Sequence, residues 1–252
     1  MISAAQLKKF SSLLQKKYRD EEHLFLIEGE KLIVEALRAG KVISAVMKLN
    51  GHSVSDELES RLNKKHIEID NVKTEQFRRL TDTVHPQGIV AVVSSEGLIR
   101  DDIGGVSAPV VLYLNSITDP GNMGTILRTC HWFGVKEVVL SKECVEVLNP
   151  KVLRSAMGAV FNLNFYLLPS GRLGELKKSG YKILVSDMNG EDISDLKPYP
   201  KVVIVMNNEA HGADNSVLQT ADGIISIPGS GKAESLNVAI ATGIILFKIT
   251  TL

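Results

Sequence analysis

Apolar and polar positions recur with two different periods along this chain. Leu7, Phe10, Leu13 and Leu14 fall at helical spacing, which predicts an amphipathic helix within residues 2–19. Residues 25–27 form a short apolar run of strand type. A helix follows from residue 28 through Leu32, Ile33, Ala36 and Leu37, and Gly40 stops it. A strand at 42–49, a helix at 56–64, a short strand at 67–69, a helix at 74–80 and a buried strand at 89–93 complete an α/β unit of small-domain size.

Residues 96–108 carry no apolar periodicity, and the stretch holds Gly97, Gly104 and Gly105 beside Glu96, Asp101 and Asp102. This composition predicts a linker. The expected organisation is a first domain over 1–95, a linker over 96–108 and a second domain over 109–252. The second region opens with a continuous apolar run at 110–114, as a strand buried on both faces requires. Further strand-like runs lie at 137–140, 164–168, 182–186, 201–206 and 223–227, with helical patterns between most of them. Strands alternating with helices imply parallel crossovers, so the fold class is α/β with a doubly wound parallel sheet.

Composition narrows the function classes. The 29 basic residues balance 29 acidic ones, so a nucleic-acid partner would be held by a local patch and not by a global field. One such patch is visible: residues 2–19 hold Lys8, Lys9, Lys16, Lys17 and Arg19 with no acid among them, and Arg78-Arg79 ends a later helix. Apolar runs such as 202–206 and 240–247 are shorter than a membrane span. The first residues lack a basic stretch followed by a signal-type apolar core, so a cytoplasmic location with no membrane partner is expected. Two cysteines, Cys130 and Cys144, exclude a disulfide framework and fit small core residues. Six histidines show no ligand spacing, so no metal is expected.

Three segments carry candidate chemistry. In the first, a buried strand runs into Asp119-Pro120-Gly121-Asn122, and a helix begins near Asn122, whose side chain suits a cap. Met123, Ile126, Leu127, Cys130 and Phe133 make one apolar stripe, leaving Arg128 on the other side with Thr125 and Trp132. In the second, the strand at 202–206 ends in Asn207-Asn208-Glu209-Ala210-His211-Gly212. In open α/β sheets, ligands bind at such carboxyl ends of strands. In the third, Ile227-Pro228-Gly229-Ser230-Gly231-Lys232 leads into a helix with Ser235 and Asn237 in its first turn. Its glycines let backbone approach a ligand closely. The spacing is not that of a phosphate loop, and no GxGxxG is present.

In this order and spacing, the three segments resemble the SpoU (TrmH-like) branch of the SPOUT methyltransferases over residues 110–252. Asp119-Pro120-Gly121-Asn122-x-Gly124-x-x-x-Arg128 matches the first motif, Glu209 with Gly212 the second, and Ile227-Pro228 with Ser235-Leu236-Asn237-Val238 the third. Ile27-Glu28-Gly29, Glu35-Ala36 and His85-Pro86-Gln87-Gly88-Ile89-Val90-Ala91 resemble the ribosomal-protein-like substrate-binding domain of members acting on 23S rRNA and tRNA.

The resemblance implies a trefoil-knotted catalytic domain, a homodimer, and transfer of a methyl group from S-adenosylmethionine to a ribose 2′-hydroxyl of RNA, ribosomal before transfer RNA. It assigns Asn207, Ile227, Pro228, Gly231 and Leu236 to the cofactor, Asn207 standing where relatives often have glycine. Arg128, Asn122, Glu209, Ser235 and Asn237 fall to catalysis. Lys8, Lys9, Lys16, Lys17, Arg19, Arg78 and Arg79 become candidate phosphate contacts. A guanidinium keeps its proton, so Arg128 is expected to clamp the target phosphate and orient the hydroxyl rather than act as a base. Two alternatives remain beside this one: an RNA-binding protein of the same fold without turnover, and a base-directed RNA methyltransferase.

Overall fold

The computed structural model describes residues 2–208, 212–231 and 235–251. The chain forms two compact units, one of Met1–Gly97 with Glu146–Phe161, the other of Leu98–Val145 with Asn162–Leu252.

Unit one begins with α1 (Ala4–Ser12) and α2 (Lys16–Glu22) and continues through β1 (Leu24–Glu28), α3 (Glu30–Arg38), β2 (Ile43–Leu49), α4 (Asp56–Lys64), β3 (Ile69–Val72), α5 (Thr74–Phe77) and β4 (Ile89–Ser94). Its sheet runs β1-β4-β2-β3, with β4 antiparallel to both β1 and β2 and β3 parallel to β2. Leu7, Phe10 and Leu13 pack with Leu26, Met47, Phe77, Val90 and Val92 in one core.

The expected single helix within 2–19 is two helices. A capping box starts α1, with Ser3 Oγ accepting from Gln6 N and Gln6 Oε1 accepting from Ser3 N. The hydroxyls of Ser11 and Ser12 donate back to the carbonyls of Lys8 and Lys9, a local alternative to helix continuation. Gln15 is extended, and α2 starts after it. Two other boundaries move for similar reasons. His66 is left-handed and Ile67 N donates to Leu62 O, so residue 67 finishes the helix end and β3 starts later than expected. Arg79 and Leu80 donate three residues back, to Gln76 O and Phe77 O, so the end of α5 tightens into turns.

Unit two contributes β5 (Ile99–Arg100), β6 (Val110–Asn115), α6 (Pro120–Trp132) and β7 (Glu137–Leu140). After Val145 the chain adds α7 (Pro150–Ala156) to unit one. It returns as β8 (Asn164–Leu167), α8 (Gly174–Lys178), β9 (Lys182–Asp192), β10 (Val202–Asn207), α9 (Asn215–Thr220), β11 (Gly223–Ser226) and α10 (Val238–Thr250). The sheet order is β11-β9-β10-β6-β7-β8-β5, and its neighbours are parallel. Central β6 and β10 are buried nearly throughout, which is why both read as unbroken apolar runs.

The stretch expected to be linker is structured. Ile99 and Arg100 pair with Phe165 and Tyr166, and buried Glu137 accepts from Ser107 N and Ala108 N. A two-residue strand leaves no period to detect. Residues 146–161 lie within the expected second domain yet join unit one, where Phe161 stacks on Phe25 at 6.5 Å between ring centres. Among the described residues no helix is long and apolar enough to cross a membrane.

Candidate functional site

The first segment leaves β6 through Ser116, whose φ of 57° marks a left-handed turn. The helix start differs from the one expected at Asn122. Asp119 is the cap, its Oδ1 accepting from Asn122 N at 2.7 Å, and Pro120 takes the first helical position. Asn122 is therefore already inside the helix, and its side chain turns elsewhere, accepting from Asn237 Nδ2 at 2.9 Å. Met123, Ile126, Leu127 and Cys130 are buried, while Thr125, Arg128 and Trp132 are exposed.

The second segment extends β10 to Asn207. This residue stays in the strand, paired with Asn115 in register, and is not among the residues with positive φ. Its Oδ1 accepts from Asn115 Nδ2 at 3.2 Å and its Nδ2 donates to Ser186 O at 3.3 Å. Asn208 N donates to Asn115 O, and its Nδ2 donates to Ser116 O at 2.9 Å, joining the ends of β6 and β10. Glu209 lies outside the described residues.

The third segment leaves β11 through Ile227 and Pro228 and reaches α10. Asn237 caps that helix, its Oδ1 accepting from Ala239 N and Ile240 N. The helix thus begins one residue after Asn237, and Ser235 precedes it.

An excursion absent from the sequence reading completes the site. Strand β11 pairs with β9 twice, Ile224 with Val185 and then Ile225 with Glu191, so residues 186–190 bulge out between the two stretches. Asp187 Oδ1 accepts from Asn189 N and Nδ2 at 3.0 and 3.3 Å, which shapes the turn. Gly190 is required there: a Cβ would lie 2.5 Å from the carbonyl carbon of Ile225. The signal that could have revealed this excursion is Asp187-Met188-Asn189-Gly190, turn chemistry at the end of an apolar run.

The second and third segments, this excursion and the start of α10 line a cavity of about 690 Å³. All five positions expected at the cofactor, Asn207, Ile227, Pro228, Gly231 and Leu236, line it. So does Ser235. Val238, the last residue of the third motif, lines it as well; sequence reasoning missed Ser186, Asp187 and Met188 on the excursion, Met206 and Asn208 on β10 and its loop, and Ala241 and Ile244 on α10. Asp187 is the one ionisable side chain among the described lining residues. Arg128, Asn122 and Asn237 are not in that lining; Asn122 bonds Asn237, which stands between the lining residues Leu236 and Val238. Walls that mix leucine, isoleucine, valine and methionine with asparagine and serine suit a ligand with both an apolar ring system and polar edges. The residues present therefore fit an adenosyl group.

The basic residues of the first unit separate into groups. Lys8, Lys9, Lys16, Lys17, Arg78 and Arg79 are all exposed. Lys9 pairs with Glu22 at 2.5 Å, and Lys17 approaches Glu21 at 3.8 Å. Arg19 corrects the sequence reading. It is 4% exposed, pairs with Glu146 through both Nε and Nη2, and donates from Nη1 to Leu13 O. Its guanidinium is engaged inside unit one and is not available to a phosphate.

A parallel α/β domain with a nucleoside-sized cavity at the carboxyl ends of its strands defines the class. Residues 109–247 match the SpoU rRNA Methylase family and residues 4–91 the MRM3-like substrate binding domain. The chain belongs to the SpoU rRNA Methylase family. It is 31% identical over 249 residues to the 23S rRNA (guanosine(2553)-2′-O)-methyltransferase RlmP of Bacillus subtilis (strain 168), covering 97% of this chain and 95% of that protein. To rRNA methyltransferase 3A, mitochondrial, of Danio rerio it is 30% identical, over 96% of this chain and 67% of that one. The AdoMet-bound rRNA methyltransferase from Sinorhizobium meliloti superposes with a TM-score of 0.84 at 26% identity, covering 98% of this chain and 95% of that chain.

Proposed function

We propose that this protein transfers the methyl group of S-adenosylmethionine to a ribose 2′-hydroxyl of ribosomal RNA. The observation that carries this reading is the convergence of Asn207, Ile227, Pro228, Gly231 and Leu236 on one cavity, in a chain whose Bacillus subtilis relative is named a 23S rRNA 2′-O-methyltransferase.

Ile227, Leu236 and Val238 would hold the adenosyl ring system, with the backbone after β10 and β11 meeting its polar edges. The bound cofactor supplies an electrophilic methyl on a sulfonium. Because positive charge vanishes from sulfur during transfer, the protein's main task is alignment of acceptor and donor. Arg128, exposed on α6, would clamp the target phosphate with its planar fork and orient the hydroxyl. The hydroxyl proton then leaves to that phosphate or to water. Asn122 and Asn237, joined to each other, and Ser235 in the cavity wall fix the geometry around it. Glu209 is assigned to the same site by its motif.

The reading extends to a homodimer and a trefoil knot. Support for the dimer comes from Trp132 on α6 and Ile240, Ile244 and Phe247 on α10, all exposed apolar side chains on helices that pack together, a pattern typical of association surfaces. Exposed Lys8, Lys16, Arg78 and Arg79 would contact RNA phosphates, and the reaction would take place in the cytoplasm.

Methyl-labelled cofactor and ribosomal RNA lacking its own modifications test the reading. Label in ribose is the expected result. Label on a base would replace the reaction while keeping the fold. Cofactor and RNA binding without transfer would leave an RNA-binding protein.

A further inference from the structure

Glu28 ends β1 with a carboxylate that is only 7% exposed, and the methyl transfer proposed above gives it no task. It accepts from Thr81 Oγ1 at 2.6 Å, Thr83 Oγ1 at 3.2 Å and the backbone N–H of Gln87 at 2.7 Å. Thr83 N donates in turn to Thr81 Oγ1 at 3.1 Å. From another element Arg154 donates to both carboxylate oxygens of Asp82, at 2.5 and 3.2 Å. The Gln87 side chain lies over Gly29, whose φ is +96° and where a Cβ would fall 2.2 Å from Gln87 Oε1.

All of this holds a loop that adds little to the core. Asp82, Val84, His85, Pro86 and Gln87 are exposed, and Val84 is 89% exposed. Burying a carboxylate is costly unless hydrogen bonds satisfy it. Here the bonds fix a surface loop with an apolar tip in water, an arrangement that contributes through recognition more than through packing. A loop ordered in advance loses less entropy on binding.

Its chemistry selects the partner. Exposed Arg78 and Arg79 lead into the loop from the end of α5, and His85 and Pro86 follow the tip. Guanidinium groups suit phosphates, while an aliphatic side chain beside a ring suits the face of an unstacked base. We infer that residues 81–87 form a preorganised RNA-recognition loop whose tip, Val84 with His85, packs against an unpaired nucleotide of the substrate, and that Glu28 is the positioning residue holding it. This rests on the proposed RNA methylation and names its recognition element.

The test uses the full chain, with steady-state methylation of ribosomal RNA, direct RNA binding and cofactor calorimetry. Val84→Asp is expected to raise the KM for RNA at least tenfold, leaving kcat within twofold and cofactor affinity unchanged. Thr83→Val, which removes a bond to Glu28, raises KM in the same way, and Thr83→Ser restores it. Glu28→Gln shows the same split where it folds; the loop variants leave the core intact and carry the test where it does not. Wild-type KM and RNA affinity in Val84→Asp overturn the loop assignment alone and leave a protein partner as its occupant. A wild-type chain that neither binds nor methylates RNA overturns this inference together with the proposed function.

Discussion

Asn237 donates its side-chain amide to Asn122 Oδ1 at 2.9 Å, across 115 residues of chain. The same side chain accepts from Ala239 N and Ile240 N, so one amide both caps α10 and ties it to the first turn of α6. Asn237→Asp keeps the acceptor and loses the donor, whereas Asn237→Ala loses both. The alanine variant is expected to lose about 1 kcal/mol of stability, the usual worth of a cap, and the aspartate variant to keep it. Both are expected to slow methyl transfer about tenfold or more through misalignment. Urea denaturation beside single-turnover assays separates the two effects, and full turnover in Asn237→Asp would refute the tie.

Arg128 stands outside the cavity lining, so its replacement should leave cofactor affinity unchanged. Arg128→Lys keeps the charge but loses the planar fork. Turnover is expected to fall about 100-fold, the scale of a loss of alignment near 1 Å. Near-normal turnover by the lysine variant would exclude the phosphate-clamp role.

Asp187 brings the one carboxylate among the described cavity residues, and the cofactor carries a sulfonium and an ammonium. Asp187→Asn should weaken S-adenosylmethionine by about fivefold, near 1 kcal/mol for one charge pair in well-hydrated surroundings. Calorimetry with S-adenosylhomocysteine locates the partner: a smaller loss identifies the sulfonium and an equal loss the ammonium. Unchanged affinity for both rules out an electrostatic role.

Arg19 and Glu146 form a buried pair, 4% and 12% exposed. Arg19→Met leaves the Glu146 carboxylate without its partner and is expected to cost about 3–5 kcal/mol. The double variant Arg19→Met with Glu146→Met should recover most of that loss. Denaturant titration of the single and double variants checks this, and equal destabilisation of both would show that the pair is not what holds the segment.

Burial raises the Cys130 thiol from 9.0 to about 12. The unfolded chain releases this proton at lower pH than the folded one, so the thiol's contribution is complete below pH 9.0 and is lost as pH rises toward about 12. Stability should fall across that window by up to about 1.4 kcal/mol per pH unit from this group. Cys130→Ala should flatten the fall in denaturation midpoints measured between pH 8 and 11; an unaltered slope would assign the alkaline loss to other groups.

Much of the second unit was legible because its central strands are buried on both faces, so the runs ending at Asn115 and Asn207 needed no tertiary information. The cavity positions were legible for a different reason: the resemblance of the three motifs to the SpoU family assigns Asn207, Ile227, Pro228, Gly231 and Leu236 to the cofactor, and the polar, glycine-bearing strand ends they sit on suit that role. The excursion at 186–190 was not legible. Its existence depends on β11 pairing twice with β9 around Gly190, and local periodicity records no such long-range contact.

By itself the sequence determined the alternation of strands and helices, the parallel sheet and the three polar turns that end its strands, since each follows from short-range spacing. Only the tertiary structure decided that Arg19 faces Glu146 across 127 residues, that residues 146–161 join the first unit, and that Asn237 meets Asn122. Hydrophobic spacing reports that a position is buried. It does not report which core covers it or which distant charge arrives beside it, because those depend on the path of the whole chain.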